Sequence, residues 1–296
     1  MMESVLIKLH GFMLELLTEP AESWDFWRWK IDSFKVPAGK AAEPDLRISL
    51  FRDTEIRIPM VEKLKQIDQE KIGFYTYTLY RYEEGWFWLI ERPAKKQRIL
   101  SFWISSAWDE IRLIEDNSGT DGQLAFEILN RILPAVLIKR SIIQIHAALI
   151  EDAGRGILIC ADSGVGKTTH ARLWRDNRRS IIIDGDRATC VKDENGWTAF
   201  GIPWCGTSGE YMNRSVPIKA IVILDRGQSN EARRLEGIEP FLRVMQHLQY
   251  PKWDREQADK AMGLVQDLTE EVPVIHLYCR PDKEAVEVLA KCLQEL

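Results

Sequence analysis

The chain has 296 residues, a formal net charge of −5, and 45% hydrophobic and 29% charged residues. That length suggests about two domains, each able to bury its own core. The acidic balance argues against a broad nucleic-acid surface, which needs a basic excess. Five cysteines, an odd number without paired spacing, fit reduced thiols rather than a disulfide framework. The apolar runs are shorter than a membrane span, and the first residues lack the apolar region of a secretory signal. A cytoplasmic protein with neither membrane nor nucleic-acid partners is expected.

Residues 1–118 read as a β-rich domain. Val5–His10 and Gly11–Leu17 are two apolar runs, and Leu46–Phe51 and Glu55–Ile58 alternate with period two, as half-buried strands do. Val61–Gln69 reads as a short helix. Gly73–Tyr82 and Trp86–Glu91 flank Glu83-Glu84-Gly85, a hairpin signal whose turn is assigned to Gly85. Arg98–Ile104 and Glu110–Glu115 read as further strands. Trp24, Trp27, Trp29, Trp86, Trp88, Trp103 and Trp108 crowd this half and are read as core packing, with a platform for a peptide or partner as the alternative.

The polar loop Asn117–Gly122 marks the boundary, and residues 119–296 form the second domain. Leu124, Ile128, Leu129, Ile132, Leu133 and Val136 follow helical spacing, with a kink or break expected at Pro134. Strand patterns over Ser141–Ile150, Gly156–Cys160, Ser180–Asp184, Ile218–Asp225 and Val272–Tyr278 alternate with helical patterns over 239–249, 255–269 and Lys283–Leu296. This is α/β patterning around a sheet.

The chemistry concentrates in Ala161-Asp-Ser-Gly-Val-Gly-Lys-Thr-Thr169. An apolar strand empties into a Gly-rich loop that runs straight into a helix, the order a phosphate-binding loop requires. Backbone N–H groups curl around one anion, and the new helix adds its positive end. Ser163, Gly164, Val165, Gly166, Lys167, Thr168 and Thr169 are the candidate nucleotide-binding residues. Lys167 would reach the β/γ-phosphates, and the Thr168 hydroxyl would hold Mg²⁺. The usual motif opens with Gly where this chain has Ala161, but Gly164 and Gly166 keep the tight part of the loop free to adopt positive φ.

Ile181–Asp184 is an apolar strand followed by Gly185, Asp186 and Arg187. Carboxylates at a strand's C-terminal edge beside a phosphate loop suit metal binding or deprotonation of a hydroxyl. Either Asp184 or Asp186 fits that role, and Asp225, after its own apolar strand, is a rival for the metal. His146 ends the Gln144-Ile145-His146 segment. His170, on the helix after the loop, is read as packing, and His247 and His276 lack acid or Cys partners at metal spacing, so no zinc site is expected. Residues 200–214 form a long loop rich in Gly, Pro and small polar residues, which makes it a functional candidate. Its Glu210 is a candidate for the metal, whereas Cys205 has no His-Asp pattern to activate it.

Together, Ile145-His146-Ala147, Ala161–Thr168 and Ile183–Arg187 resemble the catalytic domain of HPr kinase/phosphorylase, which shares its nucleotide-binding core with PEP carboxykinases. The resemblance implies a P-loop α/β domain of that kind in residues 119–296, with ATP and Mg²⁺ as cofactors. It implies Asp186 as general base, supported by His146 and with Lys167 on the phosphates, and it places the metal among Thr168, Asp186 and Glu210. The family's adjacent Asp-Asp is Gly185-Asp186 here, and its C-terminal Arg-rich loop is not recognisable, which argues against the protein HPr as substrate. The Pro203–Gly209 segment resembles a divergent branch linked to serine phosphorylation of lasso peptides. The expected activity is therefore phosphoryl transfer to a serine hydroxyl of a peptide or protein, with residues 1–118 reading the acceptor. A small-molecule kinase, such as one acting on a free amino acid, and a nucleotide-dependent scaffold are the alternatives. The family forms oligomers, and the residues leave that state open.

Overall fold

The structure, a computed structural model, describes residues 3–18, 25–37, 43–50, 61–95, 97–114, 122–205 and 208–296. The expected strand Glu55–Ile58, Trp24 and most of the loop Asn117–Gly122 lie outside the described residues. The protein is mixed α/β with two sheets, and it divides into two compact units, Met1–Val136 and Leu137–Leu296.

The first unit carries β1 (Glu3–Leu9), β2 (Phe12–Thr18), α1 (Asp25–Ile31), β3 (Leu46–Leu50), β4 (Lys65–Ile72), β5 (Tyr75–Tyr82), β6 (Gly85–Arg92), β7 (Gln97–Ile104) and β8 (Glu110–Ile114). Helix α2 (Gly122–Lys139) runs across the division and continues through Pro134. The strands form one sheet in the order β1-β2-β3-β8-β7-β6-β5-β4, parallel at β2/β3 and β3/β8 and antiparallel elsewhere. Two readings change here. Val61–Lys63 is a single 3-10 turn, and the charged stretch after it is edge strand β4 rather than helix. Its mostly exposed Lys, Gln, Asp and Glu side chains protect an open edge, so a polar strand there shows no clear β alternation. In the β5–β6 hairpin the left-handed residue is Glu83 (φ 52°), not Gly85. Gly85 lies inside β6, where an added Cβ would sit 2.2 Å from the Ile104 carbonyl oxygen. Of the tryptophans, Trp27 and Trp108 are buried and Trp29 is exposed. Trp27 packs edge-on against Phe126 at 4.8 Å, while Arg81 stacks over Trp86 and Arg112 over Trp103.

The second unit continues with β9 (Ile142–Ile145), β10 (Ala147–Asp152), β11 (Arg155–Cys160), α3 (Lys167–Arg178), β12 (Ile181–Asp184), β13 (Ala188–Asp193), β14 (Gly196–Phe200) and β15 (Ser215–Arg226). It ends with β16 (Glu231–Arg234), α4 (Glu239–Met245), β17 (Leu248–Gln249), α5 (Arg255–Glu271), β18 (Val274–Cys279) and α6 (Lys283–Gln294). Strand β15 is the hinge of the layout. It runs parallel to β11 on one side and β18 on the other, and its first residues pair antiparallel with β14. The expected single strand over Ser141–Ile150 is two strands broken at His146. Its first half pairs with β13 and β17, its second with β11 and β12.

Strands β11 and β15 are buried on both faces, which explains their unbroken apolar runs. Leu158, Cys160, Ile221 and Ile223 face a core that includes Val244, Ala261, Val265 and Leu268 of α4 and α5. Ile157, Ile159, Ala220 and Val222 face the other, with Ala171 and Trp174 of α3 and Ala285, Val286 and Leu289 of α6. Asp254 and Asp282 cap α5 and α6 by accepting from the backbone N–H of Gln257 and Ala285, the ordinary N-cap arrangement. Among the described residues no helix is long and apolar enough to cross a membrane.

His170 shows how α3 is anchored. Its Nε2 accepts from the Trp174 indole at 3.1 Å inside the core, which requires the neutral ring. Burial pushes its pKa down to about 4 from 6.5. Between those values the unfolded chain binds a proton that the folded chain refuses, so stability falls as pH drops from about 6.5 toward about 4. The expected loss is of order 2–3 kcal/mol. Replacing His170 with Gln keeps an acceptor for the indole but does not titrate. Urea unfolding at neutral pH and near pH 4 should show a smaller acid loss in H170Q than in wild type. An equal loss in both would show that His170 is not responsible. Burial shifts His146 and His247 in the same direction, so part of the loss remains in the variant.

Candidate active site

The site is built at one edge of the second sheet. Strands β11, β12, β15 and β18 all end there, because β12 and β11 are each antiparallel to the intervening β10 and β15 is parallel to β11. Crevices beyond the C-terminal ends of such strands are where α/β sheets bind ligands. Strand β10 starts at the same edge. Its Ala147 pairs with Cys160, so His146 stands beside the loop that opens at Ala161.

The loop spans residues 161–166 and leads directly into α3, in the order expected of the motif. Gly164 (φ 79°) and Gly166 (φ 130°) both hold backbone conformations that a side chain would strain. Val165 N–H donates to the Asp162 carbonyl at 3.1 Å and His170 N–H to that of Gly166 at 2.8 Å, which closes the loop onto the helix. Ser163, Gly164 and Thr169 are exposed, Val165, Gly166 and Thr168 half-buried, and Lys167 buried.

Lys167, His146 and Asp186 converge from three separate segments. Lys167 Nζ lies 2.7 Å from His146 Nε2 and 3.3 Å from Asp186 Oδ1, and His146 Nδ1 lies 3.4 Å from the same oxygen. An ammonium can only donate, and Lys167 Nζ also lies 3.3 Å from His146 Nδ1, so the contact requires a neutral imidazole. Burial lowers the pKa of both Lys167 and His146. The neighbouring Lys167 charge adds to the effect on His146, whereas Asp186 opposes both shifts. Arg187 stands on the far side of Asp186, its Nε 3.7 Å from Oδ2.

Asp184 is placed differently. It is fully buried, and its Oδ1 accepts from the N–H groups of Asp186 (3.0 Å) and Arg187 (2.9 Å), with Ile202 N–H 3.5 Å from Oδ2. Burial pushes its pKa up to about 8, against the lowering effect of those three donors. Asp184 thus shapes the turn that carries Asp186. Glu210 meets the turn through its backbone, its carbonyl accepting from Gly185 N–H at 2.9 Å. Its carboxylate is engaged by Arg175 (3.2 Å) and Arg172 (3.5 Å) of α3. Asp225 accepts from Arg243 (2.7 Å) and lies 2.9 Å from His276 Nε2. Burial alone would raise its pKa, and these two partners more than reverse that. Cys205 is buried. Among the described residues no group of three or more His, Cys, Asp and Glu side chains is arranged to hold a metal ion.

A family model described as "ScmC: SynChlorMet cassette protein ScmC" matches residues 114–267. The chain belongs to this family. The matched span holds the whole cluster, from His146 through the loop and Asp186 to Glu210 and Asp225. It points to this family rather than to the lasso-peptide branch that the Pro203–Gly209 segment resembles. No curated protein matches the chain. A solved Hpr(Ser) kinase/phosphatase from Coxiella burnetii is similar over 51% of this chain and 93% of its own, at 12% identity and a TM-score of 0.28.

Two segments escaped the sequence reading. Residues 239–249 read as one helix, but α4 stops at Met245 and β17 pairs with β9 instead. This brings Gln249 to accept from Arg187, and the His247 carbonyl to accept from His146 N–H at 2.8 Å. Pro251 restricts only Tyr250, so no local signal marks the stop at Met245. Arg226, just past Asp225, donates to the carbonyl oxygens of Gly164 and Val165 in the loop. No local pattern announces that contact.

Proposed function

We propose that this protein is an ATP- and Mg²⁺-dependent kinase that phosphorylates a hydroxyl group, with a serine of a peptide or protein as acceptor. The observation that carries this reading is the convergence of Lys167, His146 and Asp186 at the mouth of the Gly-rich loop. The donor set fits Mg·ATP. A phosphate loop and an ammonium meet the anion, and the oxygens of Asp186 and Thr168 suit a cation that takes one or two protein ligands and fills the rest with water and phosphate. Bound Mg·ATP would supply an electrophilic γ-phosphoryl group and a leaving ADP.

The chain's own residues then divide the work. Lys167 balances negative charge on the phosphates. Asp186 takes the proton of the acceptor hydroxyl as its oxygen bonds to phosphorus and the bond to the β-phosphate oxygen breaks. Neutral His146 holds Asp186 and Lys167 in register. Residues 1–118 are assigned to acceptor recognition, because every phosphate and metal candidate lies after residue 140.

The test is mass spectrometry of serine-containing peptides, and of free serine in a parallel arm, after incubation with protein, ATP and Mg²⁺. Phosphorylated peptide supports the proposal, and phosphorylated free serine alone would replace it with a small-molecule kinase. ATP consumed without any phosphorylated acceptor would favour a nucleotide-driven scaffold.

A further inference from the structure

We infer that Arg226 is a positioning residue that sets the phosphate loop for nucleotide, an inference that rests on the kinase reading above. Arg226 is the last residue of β15, tied into the sheet opposite Cys279 of β18. Its exposed guanidinium reaches across to the loop, donating from one nitrogen to the Gly164 carbonyl and from Nε to the Val165 carbonyl at 3.1 Å. A planar fork with fixed donors suits two successive carbonyls better than an ammonium does.

The consequence follows from peptide geometry. In a trans peptide the C=O and the next N–H point in opposite directions. Turning the Val165 carbonyl toward Arg226 therefore turns the Gly166 N–H away from it, on the side opposite the guanidinium. Gly166 can hold this orientation because its φ of 130° is open only to glycine. A loop set before the ligand arrives avoids the ordering cost that would otherwise weaken binding. Arg226 needs no contact with nucleotide to have this effect.

The prediction separates a loop-setting residue from a general structural one. Hydrogen bonds from a charged donor are worth enough that R226A should bind Mg·ATP about tenfold or more weakly than wild type. Its melting temperature without nucleotide should stay close to wild type, since the side chain is exposed. R226K, which keeps the charge but not the fork, should fall between the two. Inorganic tripolyphosphate should lose affinity in parallel with ATP, because the defect lies in the phosphate cradle. Calorimetric titration of wild type, R226A, R226K and K167A with Mg·ATP and with tripolyphosphate decides the matter. Unchanged ATP affinity in R226A, with wild type binding normally, overturns the role of Arg226 alone. Failure of wild type to bind Mg·ATP overturns the kinase reading and this inference with it. A drop in R226A melting temperature as large as that of a core variant such as Leu158→Ala would make the residue structural and also defeat the inference.

Discussion

Replacing Lys167 with Ala is expected to abolish phosphoryl transfer while leaving the fold intact. The ammonium stands where the loop enters α3, 3.3 Å from Asp186 Oδ1, and in phosphoryl transfer positioning and charge compensation supply most of the acceleration. Its removal should lower the transfer rate by about 10³-fold or more, the scale seen when one preorganised charge or donor is lost. Stability should respond differently. Burial lowers the Lys167 pKa in spite of Asp186, so the folded state bears a cost for holding this charge. Losing the contact with Asp186 and losing that cost oppose each other, and Arg187, 3.7 Å away, remains beside the Asp186 carboxylate. Single-turnover transfer and thermal unfolding on the same preparation separate the two effects. Near-normal transfer by folded K167A would remove the basis of the kinase reading, while a collapse of stability would make Lys167 a structural residue instead.

The legible parts of this site were those whose signal is local. Ile157–Cys160, the glycines, Lys167 and the helix beyond them occupy one continuous stretch, and each piece carries its own physical reason. The acid strand was readable for the same reason, an apolar run ending in carboxylates. What could not be read is the assembly across distance. His146 reaches the loop only because the chain breaks there and passes from β9 to β10 between two sets of partners. Arg226 and Gln249 join through strand pairings set by neighbours far along the chain. In the first unit the misreadings were also tertiary. The charge pattern of Lys65–Ile72 is that of an exposed edge, and Gly85 is required by the passing Ile104 carbonyl rather than by its own turn.

Asp186→Asn is expected to lose nearly all transfer yet still bind ATP, and Asp184→Asn to be the milder change. Proton affinity alone would favour Asp184, since a pKa near 8 suits a base working close to neutral pH. Geometry comes first, however, and the Asp184 carboxyl is fully buried with backbone N–H donors at both oxygens. It has no face to offer a substrate hydroxyl. With a pKa near 8 it also holds its proton at neutral pH, so Asn resembles the group it replaces. The Asn carbonyl can accept from Asp186 and Arg187 as before, and only the long 3.5 Å contact to Ile202 N–H is lost. Asp184→Ala, by contrast, takes the acceptor from the N–H groups of Asp186, Arg187 and Ile202 and should cost about 1–3 kcal/mol of stability. The Asp186 carboxylate has the opposite character, held between the charges of Lys167 and Arg187 and beside neutral His146. An amide there keeps the shape but cannot take a proton. His146→Ala should fall between D186N and D184N, because the imidazole orients the base without replacing it. Calorimetric ATP affinity and single-turnover transfer on the three variants decide the assignment. An inactive D184N beside an active D186N would move the base two residues back and make Asp186 a charge partner of Lys167 only.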